Sequence, residues 1–303
     1  MPHAPGAGRR STRWRSVSLV EDFRTALAAS AVELPGPELL PERLARACAA
    51  VLPVDGAGIS LFFSEDRRLP LGASDPMSAE AERLQFTTGE GPCLSAHAEG
   101  RPLLADEATI ASRWPAYYDE LVSRTSIRGT ISLPLEDELR GIGALDLYVV
   151  PPRDIATLSL QDALTVTAEV AAVFGAHGRQ ARQDRDAPAW LDAPAAARRS
   201  LVWQAMGFVN SALCVPSPDA LALLRAHAYA RGQALDDLAA QVIGRRSPWR
   251  TWHWTPTPRG RSSVAGGAPS GSAVRHRSPA ALSLGTSSGR GPGPAGRRRA
   301  SRG

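Results

Sequence analysis

The chain has 303 residues, of which 43% are hydrophobic, which gives room for about two domains of ordinary globular composition. Its formal charge of +5 misleads. Residues 247–303 hold 10 arginines and no acid, which leaves 25 arginines against 30 acids, a net of −5, in everything before them. The apparent basicity therefore belongs to the tail and is poor evidence that the body of the chain binds nucleic acid.

There is no lysine, so all 35 basic residues are arginine; with abundant Ala, Gly and Pro this reads as a GC-rich coding sequence rather than a function. Cys48, Cys93 and Cys214 are odd in number and far apart, which fits a reducing compartment better than a disulfide framework. Arg9, Arg10, Arg13 and Arg15 are followed by no apolar run, so no signal peptide is expected. Without a stretch of about 18 apolar residues to span a bilayer, the expectation is a soluble, cytoplasmic chain with no membrane partner.

Residues 1–18, rich in Gly, Pro, Ser and Arg, are expected to be disordered. Helical spacing follows in "EDFRTALAASAV" and in "PELLPERLARACAAVL", where Leu40, Leu44, Ala47, Cys48 and Val51 share a face. "GAGISLFF" alternates Ile59, Leu61 and Phe63 as a half-buried strand does, and "LPLGAS" is its expected hairpin partner. A helical "SAEAERLQ" leads into "TTGEGPCLSAHAEGRPLLA". In that stretch Gly89 and Gly91 allow tight backbone and Pro92 suits the first turn of a helix "PCLSAHA".

After a Trp/Tyr-bearing helix come two strands, "RGTISLPLE" (128–136) and "GALDLYVV" (143–150), joined by the turn "DELRG". Ser159 to about Ala181 reads as a long amphipathic helix, and the polar, Pro-containing residues 182–196 as a junction. The first body is therefore α+β with a mostly antiparallel sheet. The second, over 194–246, is all helix: "PAAARRSLVWQAMGFVNSAL", then a helix capped by the Ser217 hydroxyl and stopped at Gly232, then "ALDDLAAQVIG".

Residues 36–176, and above all "LQFTTGEGPCLSAHAEGRPLLADE", resemble a GAF domain of the actinobacterial regulator type. The resemblance implies a sheet with a ligand-sized pocket on one face, a small-molecule ligand, and dimerisation. A helix N-terminus after Gly91 offers free N–H groups to an anion, which makes Glu90, Gly91 and Cys93 the candidate ligand residues; the same Gly-Glu-Gly-Pro also serves as a plain tight turn. Cys93 and His97 lie four apart, but two ligands without a second pair do not make a metal site, and neither metal nor cofactor is expected. Some GAF proteins reduce free methionine sulfoxide with two or more cysteines in one pocket; only Cys93 lies in this segment, so no catalytic residue is assigned and the chain reads as a non-enzyme.

Residues 195–244 resemble the ANTAR domain, the RNA-binding unit of transcription antitermination regulators. Ala205, Gly207, Ser217, Asp219, Ala220, Leu224, Arg225, Ala228, Leu235, Leu238, Ala239 and Val242 carry the resemblance, and Met206 stands where members often have a basic residue. It implies a homodimer that binds paired RNA stem-loops. Arg198, Arg199, Arg225, Arg231, Arg245 and Arg246 are the candidate phosphate contacts and Tyr229 the candidate stacking surface. A DNA-binding regulator and a helical unit that binds protein partners, with dimerisation through the GAF domain, are the alternatives.

"SPWRTWHWTPTP" crowds Trp249, Trp252 and Trp254 together, and GC-rich codons for 248–256 shifted by two bases read Val-(Glu or Ala)-Asp-Leu-Ala-Leu-Asp-Pro. That is the acidic helical ending expected of an ANTAR core. Residues 247–303 are thus either a frameshifted product or a disordered basic arm that binds RNA non-specifically. Deep sequencing of the locus is expected to reveal a shift near codons 244–248; a clean frame through codon 303 would leave the basic arm.

Overall fold

The computed structural model describes residues 7–63 and 68–244, with side chains from Val17 onward. The Trp-rich segment, the basic tail, Arg245 and Arg246 lie outside the described residues.

Five antiparallel strands form one sheet in the order β2-β1-β5-β4-β3: β1 Gly56–Phe62, β2 Arg68–Ala73, β3 Leu103–Ala105, β4 Gly129–Pro134 and β5 Gly143–Val149. Strand period two sorts their side chains. Ile59, Leu61, Leu69, Leu71, Ile131, Leu133, Leu145 and Leu147 enter the largest apolar core. Helices α1 (Ala7–Glu33), α2 (Leu40–Val51) and α7 (Leu160–Asp184) supply Phe23, Leu44, Cys48, Val166 and Phe174 to it. The opposite sheet face lies under α3 (Pro76–Thr88) and α4 (Pro92–Glu99), with α6 (Pro115–Arg124) beyond α3.

The α+β expectation, with its antiparallel sheet, matches this body. Three details differ. Strand β1 is buried along its whole length rather than on one face, because helices cover both sides of the sheet. The aromatic helix is two, α5 (Glu107–Arg113) and α6, broken where Trp114 precedes Pro115 and adopts φ −137°, ψ 68°. Helix α1 begins at Ala7, inside the stretch whose composition suggests disorder; no Gly or Pro interrupts the chain between Arg9 and Leu34.

Helices α8 (Pro194–Leu213), α9 (Ser217–Ala230) and α10 (Leu235–Gly244) form the second body, and the described residues all fall within one compact unit. The expected junction is not an open linker. Trp190 is buried edge-on against Phe174 with ring centroids 5.4 Å apart, and Ala193 and Ala196 join the sheet's core. Ser217 is the first residue of α9 rather than its cap; its hydroxyl accepts from Asn210 Nδ2 at 2.9 Å. No single helix among the described residues is long and apolar enough to cross a membrane.

Helix α3 positions everything below, and Asp75 starts it. Its Oδ1 accepts from the Met77 and Ser78 amides at 2.9 and 3.0 Å, and its Oδ2 accepts from the Ser74 and Ser78 hydroxyls. Asp75→Ala is expected to cost about 1–2 kcal/mol of stability, with Asp75→Asn keeping most of it. Urea unfolding measures both.

Candidate functional site

On the sheet face beneath α3 the apolar alternation gives way to polar residues. In β5 the sequence "GALDLYVV" puts Leu145, Leu147 and Val149 into the core, which sends Asp146 and Tyr148 to the other face. Register sets Ser132 of β4 and Gly58 of β1 beside Asp146, and Thr130 beside Tyr148. Arg68 at the start of β2 and Ser60 of β1 complete the floor, while α3 lowers Glu82 and Gln85 onto it. Each of Ser60, Arg68, Glu82, Gln85, Thr130, Ser132, Asp146 and Tyr148 is at most 2% exposed. Gly58 makes room, since a Cβ there would collide with the Glu82 carboxylate.

Glu82 is the hub. It pairs with the Arg68 guanidinium, and its Oε2 accepts from the Ser60 hydroxyl at 2.8 Å and its Oε1 from Tyr148 at 2.5 Å. Gln85 Nε2 donates to Asp146 Oδ2 at 3.1 Å, and Gln85 Oε1 accepts from the Cys93 amide at 2.8 Å, so one side chain joins α3, β5 and α4. Burial works against the charge of Glu82, but Arg68 and the surrounding donors hold its carboxyl below the usual range. Burial, and then the Glu82 charge, push Asp146 up to about 8. At neutral pH the cluster thus holds one cation, one anion and one neutral acid.

Counting Tyr117 of α6, which feels the charges of Asp146, Glu82 and Arg68, the cluster has five buried polar atoms without a hydrogen-bond partner: Arg68 Nε, Tyr117 Oη, Thr130 Oγ1, Ser132 Oγ and Asp146 Oδ1. Buried polar groups of this kind are normally hydrogen-bonded, so these atoms can take a further partner. A cleft of about 450 Å³ opens beside Glu82, between β2, α3 and the start of α8, and Asp75, Arg83, Arg198 and Asp236 also line it. That volume suits a small ligand.

Of the three ligand residues expected from sequence, only Cys93 borders this cluster. Its thiol is fully buried and pushed up by burial, against the pull of Arg68, which keeps it protonated and unreactive. Glu90 instead caps α6, its Oε1 accepting from the Tyr117 amide at 3.0 Å. Gly91, at φ +145°, is the turn residue before α4. His97 stacks on Phe62 at 3.9 Å between ring centroids. Sequence reasoning missed Arg68, Glu82, Gln85 and Asp146; an aspartate alternating with leucines in β5 was the signal.

The candidate RNA residues fall into two groups. Arg198, Tyr229 and Arg231 are exposed; Arg198 pairs with Asp237 at 3.4 Å. Arg199 is turned inward, against the expectation of a phosphate contact: it is 1% exposed, with Nε 2.9 Å from Asp236 Oδ1. The reason is Phe86, a residue of α3 that enters the core of the three helices. The Arg199 guanidinium lies 3.6 Å from the Phe86 ring centre and that of Arg225 4.8 Å, and Arg225 Nε donates to the Phe86 carbonyl at 2.9 Å. Burial pulls the Arg199 pKa down to about 10, with Asp236 opposing. Met206 is buried in the same core.

No family model matches the chain, and no curated protein matches it. Among solved structures it is similar to the GAF domain of a phosphoenolpyruvate-protein phosphotransferase from Coxiella burnetii, at 16% identity and TM-score 0.40 over 55% of this chain and 96% of that one. It is also similar to free methionine-R-sulfoxide reductase from Neisseria meningitidis in complex with its substrate, at 17% identity and TM-score 0.36 over 60% and 98%.

Because the folded Asp146 carboxyl titrates near 8 instead of its ordinary 3.8, the stability it contributes is complete at low pH and is lost as pH rises through about 8. Glu82, shifted downward, runs the other way and loses its contribution as pH falls. The wild-type melting temperature is therefore expected to drop by at least about 2–4 °C between pH 6.5 and 9, and that of Asp146→Asn to stay level. Equal slopes in the two proteins would place the titrating group elsewhere.

Proposed function

We propose that the chain is a signal-responsive regulator whose GAF-type sensor body binds a small molecule and whose ANTAR-type helices bind RNA stem-loops to control transcription termination. The observation that carries the sensing half is the buried polar cluster with its five unpaired atoms. Arg68 and Glu82 offset each other, and hydroxyls surround them, so the chemistry suits a compact neutral or zwitterionic molecule rich in hydrogen-bonding groups. Ligand entry through the cleft beside Glu82 would act directly on α3.

The RNA half rests on the resemblance over 195–244 and on the surface that α8 and α9 present. Tyr229 is 45% exposed at the end of α9, with Arg231 next to it and Arg198 exposed on α8. An exposed ring for a splayed base, with guanidiniums for phosphates, is the combination that RNA loops require. A second reading, a unit that binds another protein, is favoured by the exposed Phe208 and Leu213 on α8, at 52% and 45%.

Crosslinking the full chain to cellular RNA and sequencing the product separates the two. Paired stem-loops upstream of terminators should be enriched. In vitro, Tyr229→Ala should weaken binding of such an RNA about tenfold, in line with about 1–3 kcal/mol per stacked base. Arg231→Ala should lower the salt dependence by about one counterion. Absence of enrichment would favour the protein-binding reading.

A further inference from the structure

Helix α3 makes two sets of buried contacts one turn apart. Glu82 and Gln85 reach into the polar cluster of the sheet. Phe86, one turn beyond Glu82, and Thr87 reach α8–α10: Phe86 joins the core that holds Val202, Ala205, Leu224 and Leu238, and the Thr87 hydroxyl accepts from the Leu235 amide at 3.2 Å. Arg124 of α6 adds a second tie, donating to the Gly232 carbonyl at 2.7 Å. Gly89 ends α3 at φ +78°, and its missing side chain lets the Arg225 guanidinium lie against the turn; a Cβ there would sit 3.1 Å from Nη1.

We infer that the three helices are held on the sensor body in a self-blocked state, clamped through Arg199 and Arg225 on the two sides' shared Phe86, and that movement of α3 frees these two guanidiniums. The inference rests on the RNA-binding reading above. Four candidate phosphate contacts lie within the described residues, and two of them, Arg199 and Arg225, are engaged by α3. A guanidinium that stacks on an aromatic ring and donates to a backbone carbonyl cannot offer the same face to a phosphate. The ties from α9 and α10 are individually modest and reach α3 or its neighbour α6, whereas α8 also packs on β2. A small displacement of α3 therefore loosens the α9 and α10 side and unseats both guanidiniums. A packed helix responds as a unit, which makes the clamp two-state. Binding at the cluster shifts that equilibrium to the extent that the ligand prefers the displaced position of Glu82 and Gln85.

Two full-length variants open the clamp without altering a candidate RNA residue. Phe86→Leu keeps an apolar side chain but removes the ring between the guanidiniums. Thr87→Val with Arg124→Ala removes the flanking ties and leaves the core intact. For each, hydrogen exchange at the α10 amides of residues 238–242 reports opening, and titration with a synthetic RNA of two short-looped stem-loops reports exposure. The expected result in both is exchange about tenfold faster and RNA bound about tenfold more tightly than by the wild type. Faster exchange with unchanged or weaker RNA affinity overturns the blocking role while leaving the RNA reading intact. Unchanged exchange in both variants overturns the clamp. RNA bound by neither the wild type nor the opened variants overturns the RNA reading, and the blocking role with it.

Discussion

A guanidinium and a carboxylate, those of Arg68 and Glu82, meet beneath α3 where neither is reached by solvent. Burying two charges is costly, and the cost is tolerable only when each is held by the other and by further hydrogen bonds. Glu82 meets that demand through Ser60 and Tyr148, and Gln85 extends it to Asp146 and the α4 amide. The height and orientation of α3 over the sheet are fixed by this requirement. Asp146 stays neutral because burial, and then the neighbouring Glu82 charge, oppose a second carboxylate charge there.

What α3 does at its C-terminal end follows from its position. Phe86 lies one turn beyond Glu82, towards the end of α3, and left exposed there it would be unfavourable. The three helices cover it, and Phe86 becomes part of their core. The α+β body and the helical unit therefore share α3. Helix α7 packs along α1 and the sheet's first core.

Much of this was legible in the sequence. Period-two alternation located β1, β2, β4 and β5, and period-3.6 spacing with caps and breakers located α2, α7 and the three C-terminal helices. Strand β3, three residues long, gives no periodic signal. The split at Trp114 was readable from Pro115 but is masked by the aromatic run around it. The candidate ligand residues were drawn from "GEGPC" because glycines and a helix start are visible locally. Arg68, Glu82 and Asp146 become neighbours only through sheet register and the laying of α3 across it. Arg199 illustrates the same limit from the other side: residue type suggests a phosphate contact, yet burial is decided by Phe86, 113 positions earlier.

Whether α3 transmits between its two sets of contacts is tested most directly by the exchange rate of the Leu235 amide in a full-length chain carrying Gln85→Ala. The substitution loosens the cluster side and leaves Phe86, Thr87 and every contact of the helical unit in place. If α3 couples the two sides, Leu235 exchanges about tenfold faster, while amides in the centre of β4 and β5 keep their protection. If Leu235 exchanges at the wild-type rate, the cluster and the three helices are independent, and α3 merely lies between them.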